Sequence, residues 1–93
     1  PYYTGAAYVL RGMREEVGRK DWKKAEFWYT KSLAFPFEER LTKDIRGLAY
    51  LGLARISYRE RKISLFRKYL RTSADFIEYK NSLIEYKRLS HGK

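Results

Sequence analysis

The chain has 93 residues, two prolines, one histidine and no cysteine, a length that suits one domain with a modest core. The missing thiols exclude a disulfide scaffold, a thiolate zinc site, an iron–sulfur cluster and a cysteine nucleophile. With 44% hydrophobic and 17% aromatic residues the chain buries enough to offset the entropy of ordering, and its apolar runs are too short to span a membrane. Pro1 stands where an initiator methionine is expected and no signal-peptide pattern follows, so 1–93 reads as a single domain cut from a longer chain.

Bases outnumber acids 21 to 11, a net charge of +10, and the excess is uneven. Residues 51–71 carry Arg55, Arg59, Arg61, Lys62, Arg67, Lys68 and Arg71 against Glu60 alone. Such a field draws acidic proteins, nucleic acid or anionic lipid. The same bases also serve as solvated helix faces, and charge by itself does not choose.

Apolar spacing is helical throughout, and no stretch keeps a two-residue alternation. Thr4 is placed to cap a first helix over 5–18, with Ala6, Leu10, Met13 and Val17 on one stripe and Gly18 at its left-handed end. Asp21 is placed to cap a second over 22–35, with the stripe Trp22, Ala25, Tyr29 and Leu33. Phe27, Trp28, Ala34 and Phe35 lie off that stripe, so this helix is contacted on several sides, and Pro36 stops it. A third helix over 38–56 aligns Leu41, Ile45, Leu48, Gly52 and Ile56, and Ser57-Tyr58-Arg59-Glu60 reads as a capping box opening a fourth over 58–71. Ile63, Phe66 and Leu70 form the fourth stripe, widened by Leu65 and Tyr69. Thr72-Ser73 marks a weaker cap for a fifth helix over 74–89, built on Phe76, Tyr79, Leu83 and Tyr86. The expected fold class is all-α, with antiparallel hairpins over 5–36 and 38–72 and a fifth helix with a polar tail over 73–93.

A shift of 37 residues lays Tyr29 on Phe66 and Leu33 on Leu70, and on the opposite face Lys24 on Arg61 and Lys31 on Lys68. Helices two and four therefore read as equivalent members of two hairpins. With Gly12 mid-helix, Trp22 and Ala25 early in the second helix, then Tyr29, Ser32 and Pro36, segment 5–36 resembles a tetratricopeptide repeat. Segment 41–72 resembles it more loosely, through Leu51-Gly52, Phe66 and Leu70. The chain departs from the family at Lys62, where alanine is usual, and at Glu15 or Glu16, where a large aromatic is usual. It also lacks a proline closing the second segment, and its spacing exceeds the family's repeat of about 34 residues. The resemblance implies a short right-handed solenoid whose first helices line a concave groove and whose second helices form the outside, working as a protein-interaction scaffold.

Enzyme chemistry is not expected, and neither is a cofactor or a metal. His91 sits in the polar tail Ser90-His91-Gly92-Lys93, and the pairs Glu15-Glu16 and Glu38-Glu39 point to different azimuths. No glycine-rich loop, HExxH or GxSxG string appears. The expected activity is capture of an acidic or extended peptide of a protein partner in a groove lined by Tyr8, Arg11, Lys43, Arg46, Tyr50 and Leu53, since tyrosine and arginine make good contact surface. The competing reading packs the two tyrosines on neighbouring helices. The lysine–asparagine set with which some repeats of this family hold a terminal carboxylate is unmatched, Asn81 being the sole asparagine.

The alternative activity is sequence-blind binding of RNA or DNA through a basic ridge of Lys20, Lys24, Lys31, Arg61, Arg67, Lys68 and Arg71 on helices two and four. Helix five adds Ile77 and Ile84 on a second edge with Lys80 and Lys87 between them. That pattern suits further repeats or pairing with a second copy, or one broad core face with the lysines reaching outwards.

Overall fold

A computed structural model describes residues 3–34, 40–76 and 80–91, with side chains described at 5–34, 45–76 and 84–89. Helix α1 spans Tyr3–Met13 and widens into a π-helical turn at Arg14–Arg19, followed by α2 at Trp22–Ser32. Helix α3 spans Arg40–Arg59 and α4 spans Ile63–Ser73; a 3₁₀ turn at Ala74–Phe76 precedes α5 at Lys80–His91. The fold is all-α, as the periodicity requires, and its helices pair as hairpins. Among the described residues no helix is long and apolar enough to cross a membrane.

Helix α3 is the axis of the molecule. It packs against α1, α2, α4 and α5, which is why Ala49, Leu51, Leu53, Ala54 and Ile56 are all buried although they face different azimuths. The core joins Val9, Ala25, Tyr29, Ala49, Leu53 and Ile56, with Trp22, Leu33, Ile45, Leu48 and Tyr69 packed against it. The α2 stripe lies where the spacing puts it, and Asp21 caps that helix by accepting the Lys24 backbone N–H at 3.1 Å.

The first helix departs from its apolar stripe. Leu10 is 64% and Val17 72% exposed, while Gly5, Val9, Gly12, Glu15 and Glu16 are buried. The cause is the Tyr29 ring, which lies between two helix-interior glycines. A Cβ on Gly12 would stand 2.7 Å from Tyr29 Cδ1, and one on Gly52 2.5 Å from Tyr29 Cε2. A glycine inside a helix costs about 1 kcal/mol relative to alanine, and here each makes room for one ring face. Close approach of three backbones around one aromatic outweighs the pull of the apolar stripe.

The turns also differ from the expected caps. Gly18 does not take the left-handed conformation; Lys20 does, with φ 55°, and the N–H groups of Lys20 and Asp21 both donate to Glu15 O. Helix α1 already includes Thr4. Helix α3 runs through Ser57, which is buried, so there is no capping box there: the turn falls at Glu60–Lys62, with Arg61 at φ 61° and the Lys62 N–H donating to Ser57 O at 2.8 Å. The hydroxyls of Thr72 and Ser73 donate backwards, to Lys68 O at 2.9 Å and Leu70 O at 2.6 Å. Helix α5 runs to His91. Phe35, Pro36, Ile77 and the side chains of Leu41, Tyr79 and Leu83 lie outside the described residues.

The two hairpins correspond residue by residue in places, but at a register other than 37. Left-handed Lys20 corresponds to left-handed Arg61, and buried Ser32 to buried Ser73, a shift of 41. Each of those serines donates its hydroxyl to the carbonyl three residues back at 2.6 Å. Before the turn the shift is 42: Gly5 matches Gly47, Tyr8 matches Tyr50 and Val9 matches Leu51, and the two tyrosines face Trp28 and Tyr69 of their own hairpins. The π-helical turn supplies the one-residue difference, because it takes up an extra residue that α3 does not have.

Candidate functional site

A cleft of about 480 Å³ opens between α1, α3 and α5. Its walls are apolar: Met13 and Val17 from the α1 side, Leu48 from α3 and Ile84 from α5. Val17 and Ile84, 72% and 58% exposed, are among the least covered large apolar side chains of the described residues. Glu16, Arg55, Arg59, Glu85 and Arg88 supply the charge.

The floor is one connected ion network. Glu16 is buried at the π turn and accepts the Tyr29 hydroxyl at 2.7 Å on Oε1. Arg55 donates to both Glu16 oxygens, Nε to Oε2 at 2.7 Å and Nη2 to Oε1 at 3.0 Å, the fork-on-carboxylate geometry that makes the strongest such pairs. Its Nη1 reaches Glu85 on α5, and Arg88 holds Glu85 from the other side, Nε to Oε1 at 2.9 Å. Three helices are thereby tied through one guanidinium. Burial draws the Arg55 pKa down, but the hydrogen bonds and charge of Glu16 outweigh it and leave the guanidinium more firmly protonated than usual. Burial, reinforced by the Glu16 charge, pushes the Tyr29 hydroxyl far above its ordinary range, so it is a fixed donor. Arg88 and then Arg55 hold the Glu85 carboxyl below its ordinary value against the opposing effect of burial.

The expected groove residues are not gathered here. Tyr8 stacks on Trp28 at 5.4 Å with the Lys31 ammonium 5.6 Å from its ring, and Tyr50 lies against Tyr69 and stacks on Phe76 at 6.0 Å. Both tyrosines thus seal their own hairpins. Leu53 is a core residue, 2% exposed. Arg11 is exposed and lies over Trp28 at 5.0 Å, Arg46 is half-buried on α3, and the Lys43 side chain lies outside the described residues. None of the expected groove residues whose side chains are described lines the cleft between α1, α3 and α5. Ile84 faces this cleft instead of an outer edge.

The basic set Lys20, Lys24, Lys31, Arg61, Arg67, Lys68 and Arg71 is exposed at every position. Helices α2 and α4 both pack on α3 and, among the described residues, not on each other, so the two halves of the set do not form a continuous ridge. Lys31 is engaged with the rings of Tyr8 and Phe27.

Sequence reasoning missed Glu16, Arg55, Glu85 and Arg88. Glu16 and Arg55 are 39 residues apart, and no local spacing marks them as a pair. A usable signal was present in Gly5, Gly12 and Glu16, which share one helical face: small residues followed by an acid mark a face that approaches another backbone. Among the described residues no group of His, Cys, Asp or Glu side chains is placed to hold a metal ion. No protein-family model, no curated protein and no solved structure matches this chain.

Proposed function

We propose that this protein is a non-enzymatic interaction module, a tetratricopeptide-like scaffold that takes an acidic amphipathic segment of a protein partner in the α1/α3/α5 cleft. The observation that carries the reading is a pair of apolar walls, Val17 with Met13 and Ile84, facing one another across a charged floor and left uncovered. A segment laid between them removes that surface from water, which is the main source of affinity in such grooves. Its acidic character follows from the charges. Glu16 and Glu85 are already engaged by Arg55 and Arg88, so an added base finds no spare carboxylate, whereas the exposed Arg59 also lines the cleft, in a chain of net charge +10. The field hastens encounter and the apolar walls slow release.

The test is fluorescence anisotropy with peptides selected from a display library of acidic amphipathic segments. Val17→Asp and Ile84→Asp are each expected to weaken binding by at least about tenfold, about 1.4 kcal/mol. Leu10→Asp, at a position equally exposed but outside the cleft, is expected to bind as the native chain does. Equal binding by all three variants would overturn the assignment. Oligonucleotide binding at physiological salt that is lost on changing Arg67 and Lys68 to alanine would put the basic helix faces in its place.

A further inference from the structure

The hydroxyl side chains differ in what surrounds them. Ser32, Ser57 and Ser73 are buried, and the hydroxyls of Ser32, Ser73 and Thr72 donate to backbone carbonyls behind them. Ser64 is exposed and stands second in α4. Residues 61–65 are exposed without a break, and Phe66 is the first buried side chain after them. This stretch can be drawn out into an extended segment without uncovering the core.

The residues around Ser64 carry a pattern. Arg61 stands three positions before it, Arg59 five before it, and Leu65 directly after it. Both arginines are exposed, Arg61 in the left-handed turn and Arg59 over the Trp22 ring at 5.2 Å, a contact that is weak at an exposed site. Two guanidiniums at fixed offsets before a hydroxyl, with an apolar side chain behind it, fit an enzyme cleft lined by carboxylates and an apolar shelf. Charge pattern of this kind is how protein kinases choose their acceptors. Thr30, the other exposed serine or threonine among the described side chains, has Phe27 and Ala25 at the same offsets and presents no such pattern.

The start of α4 also suits the product. Its N-cap, Lys62, makes no side-chain capping hydrogen bond, and its first turn holds no acid. The leading N–H groups therefore lack the negative partner that a helix start favours. Arg67 and Lys68 follow Ser64 by one turn on the same helix face, and Arg61 and Lys62 precede it. Phosphoserine brings a charge of about −1.5 to −2 and so cancels about half of the charge of these four bases.

We propose that Ser64 is the acceptor of an arginine-directed protein kinase, and that its phosphate settles at the start of α4 and weakens the positive field of that helix. Ser64 Oγ attacks the γ-phosphorus of the kinase's nucleoside triphosphate. The Oγ–P bond forms as the bond to the bridging oxygen breaks, the nucleoside diphosphate leaves, and the hydroxyl proton passes to the kinase's carboxylate base. Ser64 lies outside the cleft, and the inference does not depend on it.

The test incubates the full chain with magnesium ATP and an arginine-directed serine kinase, with an acid-directed kinase in parallel, and reads intact mass and peptide maps. Phosphate is expected on Ser64, at least about tenfold faster with the first kinase than with the second. Mapping separates Ser64 from Ser90, which follows Lys87-Arg88-Leu89. Arg61→Asn, a residue that tolerates the left-handed turn, is expected to lower kcat/KM at Ser64 by at least about tenfold with the circular dichroism spectrum unchanged. The phosphorylated chain is expected to melt about 2–5 °C above the unmodified one. No phosphate on Ser64, equal rates with the two kinases, an unchanged rate in Arg61→Asn, or a lowered melting point would each overturn the proposal.

Discussion

The two hairpins share a plan and differ in how they are locked. Each second helix has eleven residues, starts after a left-handed residue and ends on a buried serine bonded to the carbonyl three positions back. At the position before that serine's turn, hairpin one has Tyr29 and hairpin two has Leu70. Tyr29 is wholly buried between Gly12 and Gly52 and passes its hydroxyl to Glu16, whereas Leu70 is half-buried. A common backbone plan therefore does not imply a common lock. The first hairpin is joined to α3 by a polar aromatic and an ion network as well as by the apolar core, whereas within the second Phe66 of α4 and Leu51 of α3 are buried apolar side chains.

The largest effect expected from that asymmetry comes from Glu16→Ala. It leaves the Arg55 guanidinium and the Tyr29 hydroxyl without their shared acceptor, and removing one member of a buried pair costs about 3–5 kcal/mol. Urea unfolding should show it as a fall in midpoint at constant slope; a loss under 1 kcal/mol would mean that the network is not the lock.

Next are the glycines. Gly52→Ala and Gly12→Ala should each destabilise by about 1–3 kcal/mol, because the added carbon meets a confined ring. Gly18→Ala, with nothing within 4 Å of its Cβ position and no left-handed φ, should stabilise by about 0.4–1 kcal/mol. Opposite signs at these positions, read in one thermal-unfolding series, sharpen the comparison, and equal signs break it.

The smallest effect is in pH. The Glu85 pKa is lowered by Arg88 and Arg55, so its stabilising contribution is fully present above the ordinary carboxylate value of about 4.3 and is lost as pH falls through the lower folded value. Thermal unfolding between pH 6 and pH 3 should show a smaller acid-induced drop in Glu85→Gln than in the native chain. The same drop in both would show that the α5 link carries no such linkage.

The helices were legible because helix formation is local. Asp21 before Trp22 and the spacing of Ala25, Tyr29 and Leu33 are features of neighbouring residues, and they are borne out in place. The turn after α3 differs from the expectation at Ser57, since a serine followed three residues later by glutamate looks like a cap whether or not the helix has ended; here Ser57 is buried and the helix runs on to Arg59. On the first helix the apolar stripe Leu10, Met13 and Val17 was legible as a stripe but not as surface, because which stripe is covered depends on what approaches. Of the candidate groove residues, Leu53 is a core side chain and Tyr8 and Tyr50 stack on rings of their own hairpins, placements that depend on partners distant in the sequence.

Composition, periodicity and turn chemistry by themselves determined an all-α chain of paired helices with a strong positive field. Only the tertiary structure decided that Tyr29 occupies the space of two missing side chains, that Glu16 meets Arg55 across 39 residues, and that Val17 and Ile84 are left facing a cleft. The physical reason is one of range. Hydrogen-bond ladders and caps form between residues within about four positions, whereas close packing and ion networks are set by three backbones meeting at one point, which no single segment encodes.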